Sequence, residues 1–341
     1  MSEGTTERKG QNYALHSLTG IILVVLTGVK FNMGSLSQEW LLAFGRFAMP
    51  LFFIISGYFL YSKDGHSEDS LPRKAKHILF LIIFIKLLYL AIDVVYYATG
   101  VISLDYLINA FVTAEESTMH VWFVYALLLL YIWWWLMRRY QLNAKKISYT
   151  MSAIVLIACI LFGVVLRAFG VDTFLGVSTL YINEIIYPFI GIPFFTIGYY
   201  LHMYREEFDE MFSTKALIII TLAGMIVPII TSFYVPKSTL YVGSIFTAVA
   251  LFMLTFRVPE DRLRCRFTEY LGRNLKPFLY AYFPLVVFFL HRVAMKGMED
   301  DPWYHIIGPI LAILMNLILS YASFRLLMHI TGSKRSVPKK A

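Results

Sequence analysis

A lysine near the end of an apolar run is the first residue in this sequence that could take part in chemistry. The run reads SLTGIILVVLTGVKF, from Ser17 to Phe31, and Lys30 stands in it before the apolar residues have ended. A charged side chain at membrane depth is costly, so it usually has a role. Lys30 could be a reacting group, a counter-ion, or an anchor whose ammonium reaches the membrane surface.

Other polar residues inside or at the ends of apolar runs could bind a polar substrate. They are Arg46, Asp93, His120, Trp122, Arg167 and Glu184. The guanidinium of Arg46 could hold a carboxylate or a phosphate through two hydrogen bonds, or pair with a residue inside the bundle. Asp93 could instead be the structural partner of a cation. His120, Arg167 and Glu184 could simply lie at the interface.

The apolar runs that contain these residues predict a membrane protein. The chain has 341 residues, of which 58% are hydrophobic and only 15% charged, whereas soluble domains carry roughly 25% charged residues. A spanning helix needs about 20 mainly apolar residues. The candidate spans are Ala14–Gly34, Trp40–Ser62, His77–Gly100, Met119–Leu136, Ile147–Gly170, Ile185–Met203, Thr214–Tyr234, Thr239–Phe256, Pro277–Met295 and Tyr304–Ile330. We therefore expect an all-α bundle of about ten transmembrane helices that forms one membrane domain over residues 1–341.

The basic residues predict the orientation of this bundle. With ten helices both termini share one side, and that side then holds about 23 of the 30 Lys and Arg residues, against about five on the other. We expect the tails, residues 1–13 and 331–341, to be cytoplasmic. Orientation then explains most of the net charge of +8. It leaves membrane lipids as natural partners of the basic loops and makes nucleic-acid binding unlikely.

The orientation also places the polar candidates in one leaflet. Lys30, Arg46 and Asp93 fall in the outer half of their helices. His120 with Trp122, Arg167 and Glu184 stand at the outer ends of theirs. Opposite charges gathered in one leaflet predict a polar cavity open to the outside.

Motifs of soluble enzymes are missing from the sequence. There is no phosphate-binding loop, no Cys/His spacing for zinc and no Gly-x-Ser-x-Gly. Ser56 resembles a nucleophile in a small-residue context, but with Gly57 it more simply predicts close helix packing. We expect no metal site and no bound cofactor.

Four phrases carry a family resemblance. GRFAMPLFFIISGYFLYSK (Gly45–Lys63) resembles the second helix of the acyltransferase 3 family of integral membrane acyltransferases. Supporting phrases are HVWFVYALLLLYI (His120–Ile132), YPFIGIPFFTIGYYL (Tyr187–Leu201) and LGRNLKPFLYAYFPLVV (Leu271–Val287). The resemblance spans nearly the whole chain. It implies O-acyl transfer from a cytoplasmic donor, commonly an acyl-CoA, to an acceptor that is often outside the cell.

The same resemblance assigns a role to Lys30. The family pattern has an Arg and, eleven positions later, a His in helix one, and these positions are Thr19 and Lys30 here. A further family His, in the penultimate helix, aligns with Phe283. The resemblance thus implies that Lys30 replaces the catalytic base, which would require a strongly lowered lysine pKa.

These patterns predict a multi-pass protein of the plasma membrane. It would transfer an acyl group, such as acetyl, to an envelope polysaccharide or its lipid-linked precursor. Lys30 would be catalytic, while Arg46, Asp93, His120, Trp122, Arg167 and Glu184 would bind substrate. The alternative is a non-catalytic transporter or exporter of a glycan or small polar substrate on the same scaffold. The replaced Arg and His favour this alternative.

Overall fold

The fold is a set of helices joined by short connections, seen in a computed structural model. The structure describes residues 18–25, 27, 43, 45–61, 69–100, 103, 105, 122–235, 240–257, 266–298 and 301–330. By its contacts the chain divides into two compact units. We call residues 37–257 the central unit, and residues 1–36 together with 258–341 the terminal unit.

Within its described residues, the central unit contains nine α-helices of at least 7 residues and one short hairpin. The elements are α2 (Ala48–Tyr58), α3 (Leu71–Ala98), α4 (Trp122–Arg139), α5 (Ala144–Ile160), β1 (Thr173–Phe174), β2 (Val177–Ser178), α6 (Thr179–Ile186), α7 (Gly191–Met203), α8 (Arg205–Met211), α9 (Thr214–Tyr234) and α10 (Val242–Arg257). After α5 come a π turn, Leu161–Val165, and the short helix Leu166–Ala168. The 3-10 turn Tyr187–Ile190 links α6 to α7.

The terminal unit contains the first and last helices of the chain. Residues 18–25 are helical and form α1. The others are α11 (Arg266–Tyr270), α12 (Lys276–Phe289) and α13 (Pro302–Ile330). The π turn Leu271–Leu275 joins α11 to α12, and a second π turn, Leu290–Ala294, ends α12.

Local sequence explains several helix boundaries. The side chain of Asn143 accepts a hydrogen bond from the backbone N–H of Lys146 at 3.0 Å, which caps α5. Ser213 caps α9 in the same way, with 3.2 Å to the N–H of Ala216. Pro188 lacks a backbone N–H, and the predicted span Ile185–Met203 is interrupted by a 3-10 turn around it.

The hairpin before α6 is an element that the sequence analysis did not predict. Thr173 pairs with Ser178, and Phe174 pairs with Val177. Leu175 and Gly176 between the strands both have positive φ, 50° and 79°. Positive φ at both central residues is the requirement of a tight type I′ turn.

Apolar outer faces identify a membrane protein. Helix α3 buries Ile82, Ile85 and Tyr89 and leaves Phe80 and Leu87 60% exposed. An apolar surface of this kind is favourable against lipid and unfavourable in water. In the described part of the chain, four helical stretches are long and apolar enough to cross a membrane: Leu71–Ala98, Lys146–Ala168, Thr214–Tyr234 and Trp303–Ile330.

The all-helical fold class is therefore confirmed, and the four candidate spans agree with a membrane protein. The number of about ten spans and the cytoplasmic position of both termini stay predictions. So does the single domain over residues 1–341. The tails at 1–13 and 331–341 lie outside the described residues.

Candidate functional site

Arg46 is the polar candidate whose position supports a role inside the protein. It lies directly before Phe47, the N-cap residue of α2, and its backbone N–H bonds the carbonyl of Ala43 at 3.3 Å. The side chain is half-buried, and its Nε is buried without a hydrogen-bond partner among the described residues. A buried guanidinium N–H needs an acceptor, so an anionic or carbonyl group of a substrate would fit here.

Asp93 lies on the buried face of α3. It is 8% exposed and follows Ile82, Ile85 and Tyr89 at helical spacing. The nearest cation that acts on it electrostatically is Lys86, two turns earlier on the same helix. This arrangement fits the structural-partner interpretation of Asp93 better than a free catalytic acid.

The remaining predicted residues are not brought together by the described structure. Lys30 and His120 lie outside the described residues, and so do the side chains of Trp122 and Glu184. Arg167 is half-buried in the short helix Leu166–Ala168. Helix α6, which carries Glu184, packs against the π turn that precedes Arg167.

Two of the positions that depart from the family pattern, Thr19 and Phe283, lie in the described residues and are tightly packed. Thr19 is 3% exposed in α1, and Phe283 is 3% exposed in α12. The ring of Phe283 packs against Tyr280 at 5.7 Å between centroids. Neither site leaves room for the charged or imidazole side chain of the family pattern without repacking.

The segment Gly45–Lys63 contains α2, and this helix crosses α7 at a short distance. A Cβ added to Gly57 would lie 2.0 Å from the carbonyl oxygen of Phe195, and one added to Gly198 would lie 2.0 Å from that of Ile54. Both backbones thus touch at two reciprocal points. Ser56 donates to the carbonyl of Phe52 at 2.9 Å. The packing interpretation of Ser56 and Gly57 is therefore favoured over a nucleophile.

An aromatic group that sequence reasoning missed surrounds the C-terminal end of α2. Tyr58 stacks on His202 of α7, with 4.1 Å between ring centroids, and on Phe256 of α10 at 5.1 Å. The Nδ1 of His202 is 2.8 Å from the carbonyl oxygen of Tyr58. Because a carbonyl only accepts, Nδ1 carries the proton. The ring of His202 is thus held by both stacking and a hydrogen bond.

Two arginines meet at one carboxylate beside this aromatic group. The Nε of Arg257 lies 3.2 Å from Oδ1 of Asp209, and the Nε of Arg205 lies 3.5 Å from Oδ2. Arg257 also donates to the carbonyls of Asp209 and Phe212. Arg205 lies over the ring of Phe256, 5.0 Å from its centroid. The carboxylate of Asp209 is therefore shared by two guanidinium groups.

A small cleft lies beside Arg205 and Asp209. We call it the arginine cleft, and it is lined by Tyr58, Leu201, Arg205, Phe208, Asp209, Phe252, Met253 and Phe256. Its aromatic faces and the guanidinium of Arg205 could contact a planar ring and a phosphate group. The sequence signal that could have found it is the run of aromatic and charged residues from Tyr199 to Phe212. In the described residues, no three His, Cys, Asp or Glu side chains group as metal ligands would.

Comparison with known proteins supports an acyltransferase. A family model described as an acyltransferase domain, acyltransferase 3, matches residues 15–325, which is nearly the whole chain. Searches of curated proteins and of solved structures each found no match. The apolar outer faces of the helices agree with the membrane location that the family implies. The chain belongs to the acyltransferase 3 family.

Proposed function

We propose that this protein transfers an acyl group from a cytoplasmic acyl-CoA to a hydroxyl of an envelope polysaccharide or its lipid-linked precursor, in the plasma membrane. Membership of the family supports acyl transfer. The observation that carries the proposal further is the pair of cationic groups at the two ends of α2. Arg46 precedes the helix, and the arginine cleft surrounds its last residue, Tyr58.

The separation of these groups suits an enzyme that receives its substrates from opposite sides. Eleven residues at 1.5 Å each make α2 about 16 Å long, which is about half the thickness of the hydrocarbon core. A donor held at the arginine cleft would enter from the predicted cytoplasmic side. An acceptor near Arg46 would enter from the outer side. The close α2–α7 crossing fixes the distance between the two positions.

The chemistry is an attack of the acceptor hydroxyl on the thioester carbonyl carbon. A base takes the hydroxyl proton, the new C–O bond forms, and the C–S bond breaks with release of the coenzyme A thiol. The charge on the carbonyl oxygen grows during the attack, and a guanidinium such as that of Arg46 would stabilise it. In this proposal Lys30 is the base, because it replaces the histidine of the family pattern. Residues near the acceptor path would be Asp93, His120, Trp122, Arg167 and Glu184.

Surface chemistry of intact cells tests the proposal. We expect mass spectrometry of envelope glycans to show an acyl group in wild-type cells that is missing from a deletion strain and restored by the wild-type gene. Unchanged acylation in the deletion strain would contradict the proposal. Less exported glycan with unchanged acylation per sugar would support the transporter alternative instead.

The donor site has its own test in inverted membrane vesicles supplied with radiolabelled acetyl-CoA. We expect Arg205→Gln to raise the KM for acetyl-CoA about tenfold with little change in kcat, since it removes binding shared by ground and transition states. Lys215→Gln is the matched control, because Lys215 is an exposed basic residue in the first turn of α9. Equal KM values for the two variants would remove the arginine cleft from the donor path.

A further inference from the structure

The β-hairpin that precedes α6 carries exposed apolar side chains at its tip. Leu175 is 90% exposed, and Phe174 and Val177 are each 41% exposed. Single exposed apolar side chains are ordinary, but several neighbouring ones indicate a contact surface. The acyl transfer proposed above gives this hairpin no role.

The pairing of the two strands puts the apolar side chains on one face. Phe174 pairs with Val177, and Thr173 pairs with Ser178. Directly opposite residues of a hairpin point to the same face, and successive residues point to opposite faces. One face of the hairpin is therefore apolar, and the other carries two hydroxyl groups.

The apolar face lies against a candidate membrane span. The ring of Phe174 meets that of Phe162 edge to face, with 5.4 Å between the centroids. Phe162 precedes Ala168, the last residue of the span Lys146–Ala168, by six residues, which is about 9 Å along an α-helix. The hairpin thus folds back along the span instead of projecting away from its end.

The apolar surface of the span continues onto its neighbours. Ile157 within the span is 64% exposed, and Phe169 just beyond it is 83% exposed. Helix α6 packs against β2 and against the π turn of the span. Its Tyr181 and Ile185, one helical turn apart, are 58% and 52% exposed. The hairpin therefore lies within a larger apolar region that begins on a surface suited to lipid.

The segment lacks the features that usually suit a hairpin to water. Residues 173–183 contain no Asp, Glu, Lys or Arg, although charged side chains commonly protect open strand edges. Leu175 has a φ of 50° at the first turn position, where Asn, Asp or Gly is preferred. A leucine there costs backbone strain, which contact between its side chain and lipid can offset.

The open strand edges limit how deep the hairpin can lie. A two-stranded hairpin keeps its outer backbone N–H and C=O groups outside the ladder, and hydrocarbon offers them no hydrogen-bond partner. Water and headgroups at the membrane interface do. The backbone therefore belongs at the level of the headgroups, from which apolar side chains can reach the acyl chains.

The base of the hairpin is held firmly at the start of α6. The N–H of Thr179 donates to the carbonyl of Asp172 at 2.9 Å. The hydroxyl of Thr179 lies 3.2 Å from the carbonyl oxygens of Val171 and Asp172, and the residue is 2% exposed. Because the hairpin is already ordered, its tip can contact lipid with little further loss of conformational entropy.

We propose that this hairpin inserts its tip into the lipid leaflet around the end of the span Lys146–Ala168. Leu175 and Val177 contact acyl chains of the bilayer, while Thr173 and Ser178 face the headgroups. The hairpin thereby anchors the end of the span at the membrane interface. In the predicted orientation this is the outer leaflet. The inference does not depend on acyl transfer.

Spin labels on single cysteines test the depth of the hairpin. The background is Cys159→Ala with Cys265→Ser, in lipid nanodiscs that hold one copy of the protein each. Electron paramagnetic resonance compares how often a label collides with oxygen, which concentrates in lipid, and with a water-soluble nickel chelate. We expect the oxygen-to-nickel ratio of Leu175→Cys to exceed that of Gln141→Cys about tenfold. Gln141 is the matched control, because it is an exposed turn residue with a φ of 52° before the start of the same span.

A second pair of variants tests the two faces without changing residue 175. Val177→Cys and Ser178→Cys are neighbours on opposite faces, and we expect the high ratio only for Val177→Cys. If Leu175→Cys does not elute as a folded protein in size-exclusion chromatography, this pair decides. Equal ratios within either pair would overturn the proposal. Labels shielded from both oxygen and nickel would overturn it as well, since a protein surface would then cover the tip.

Discussion

At the scale of single residues, buried polar atoms carry most of the functional argument. The Nε of Arg46 is buried without a hydrogen-bond partner in the described residues, and a surface anchor would have turned it to water. By contrast, Arg257 already contacts the carboxylate of Asp209 and donates to two backbone carbonyls. Arg46 can therefore still donate a hydrogen bond to a substrate, whereas Arg257 already donates to acceptors of the protein.

The first residue-scale prediction concerns Arg46. We expect Arg46→Ala to abolish acylation of surface glycans and Arg46→Lys to reduce it nearly as strongly, by a factor of at least about 100. An ammonium cannot form the paired, planar hydrogen bonds of a guanidinium. The measurement is mass spectrometry of glycans from strains with equal amounts of inserted protein. Full acylation in the lysine variant would show that only the charge matters.

The second residue-scale prediction concerns a buried polar network in the terminal unit. Asn316 is 1% exposed and donates to Thr27 at 2.9 Å and to the carbonyl of Leu279 at 3.1 Å, while Ser320 bonds its amide oxygen at 3.3 Å. The network links residue 27, which follows α1, with α12 and α13. Every member has a partner, so the network stabilises the unit.

We expect Asn316→Ala to destabilise the folded protein by about 2 kcal/mol, because it leaves buried partners unsatisfied. The measurement is thermal unfolding in detergent, followed by size-exclusion chromatography. Ser323→Ala is the control, since it removes one half-buried bond to Tyr282 and should cost about 1 kcal/mol or less. A smaller loss for Asn316→Ala than for Ser323→Ala would contradict the role of the network.

At the scale of elements, glycines decide where helices approach. The α2–α7 crossing has one glycine from each helix against a carbonyl of the other. Helices α9 and α10 use the same device, since a Cβ on Gly224 would lie 2.8 Å from the carbonyl oxygen of Gly243. In a membrane, where apolar side chains gain little from leaving lipid, close backbone contact is a main source of helix association.

The element-scale prediction tests this crossing. We expect Gly57→Ala to destabilise the protein by about 3 kcal/mol or more, because backbone must move to admit the methyl group. Gly198→Ala should act similarly, and the double variant should cost less than the sum, since the helices separate once. Ala91→Val adds bulk to the exposed face of α3 and is the control. Wild-type unfolding temperatures in Gly57→Ala would contradict the close crossing.

At the scale of the whole molecule, the charge asymmetry of the loops predicts its orientation. The outer set includes Lys237 and the loop from Glu299 to Asp301, and the inner set includes the loop from Arg262 to Arg273. We expect single cysteines at the outer positions to react with a membrane-impermeant maleimide in intact cells. Cysteines in the inner loop should react only after the membrane is opened.

The labelling requires a protein without its two native thiols, so that only the introduced cysteine can react. These thiols are the buried Cys159 and Cys265 of the predicted inner loop. Cys159→Ala with Cys265→Ser supplies that background, provided that it retains surface acylation. Labelling of residues 262–273 in intact cells would reject the arrangement of ten spans with cytoplasmic ends.

Local sequence was enough to predict the helical fold class from the apolar runs and the family from its motifs. Apolar runs of about 20 residues have few alternatives to a spanning helix, and the phrase around Arg46 lies within one such run. The prediction of an interior role for Arg46 rested on its depth in that run. The roles of Lys30 and His120 stay predictions, because both residues lie outside the described part of the chain.

Only the tertiary structure decided which side chains meet. Arg205 and Arg257 reach one carboxylate although they lie on α8 and α10, and His291 meets Tyr304 across the ends of two helices. Both meetings depend on crossing points and turns. The π turn that carries His291 ends α12, and such turns have no simple sequence signal. Apolar periodicity is a local property of the chain, whereas the contacts that build a site depend on how distant backbones pack.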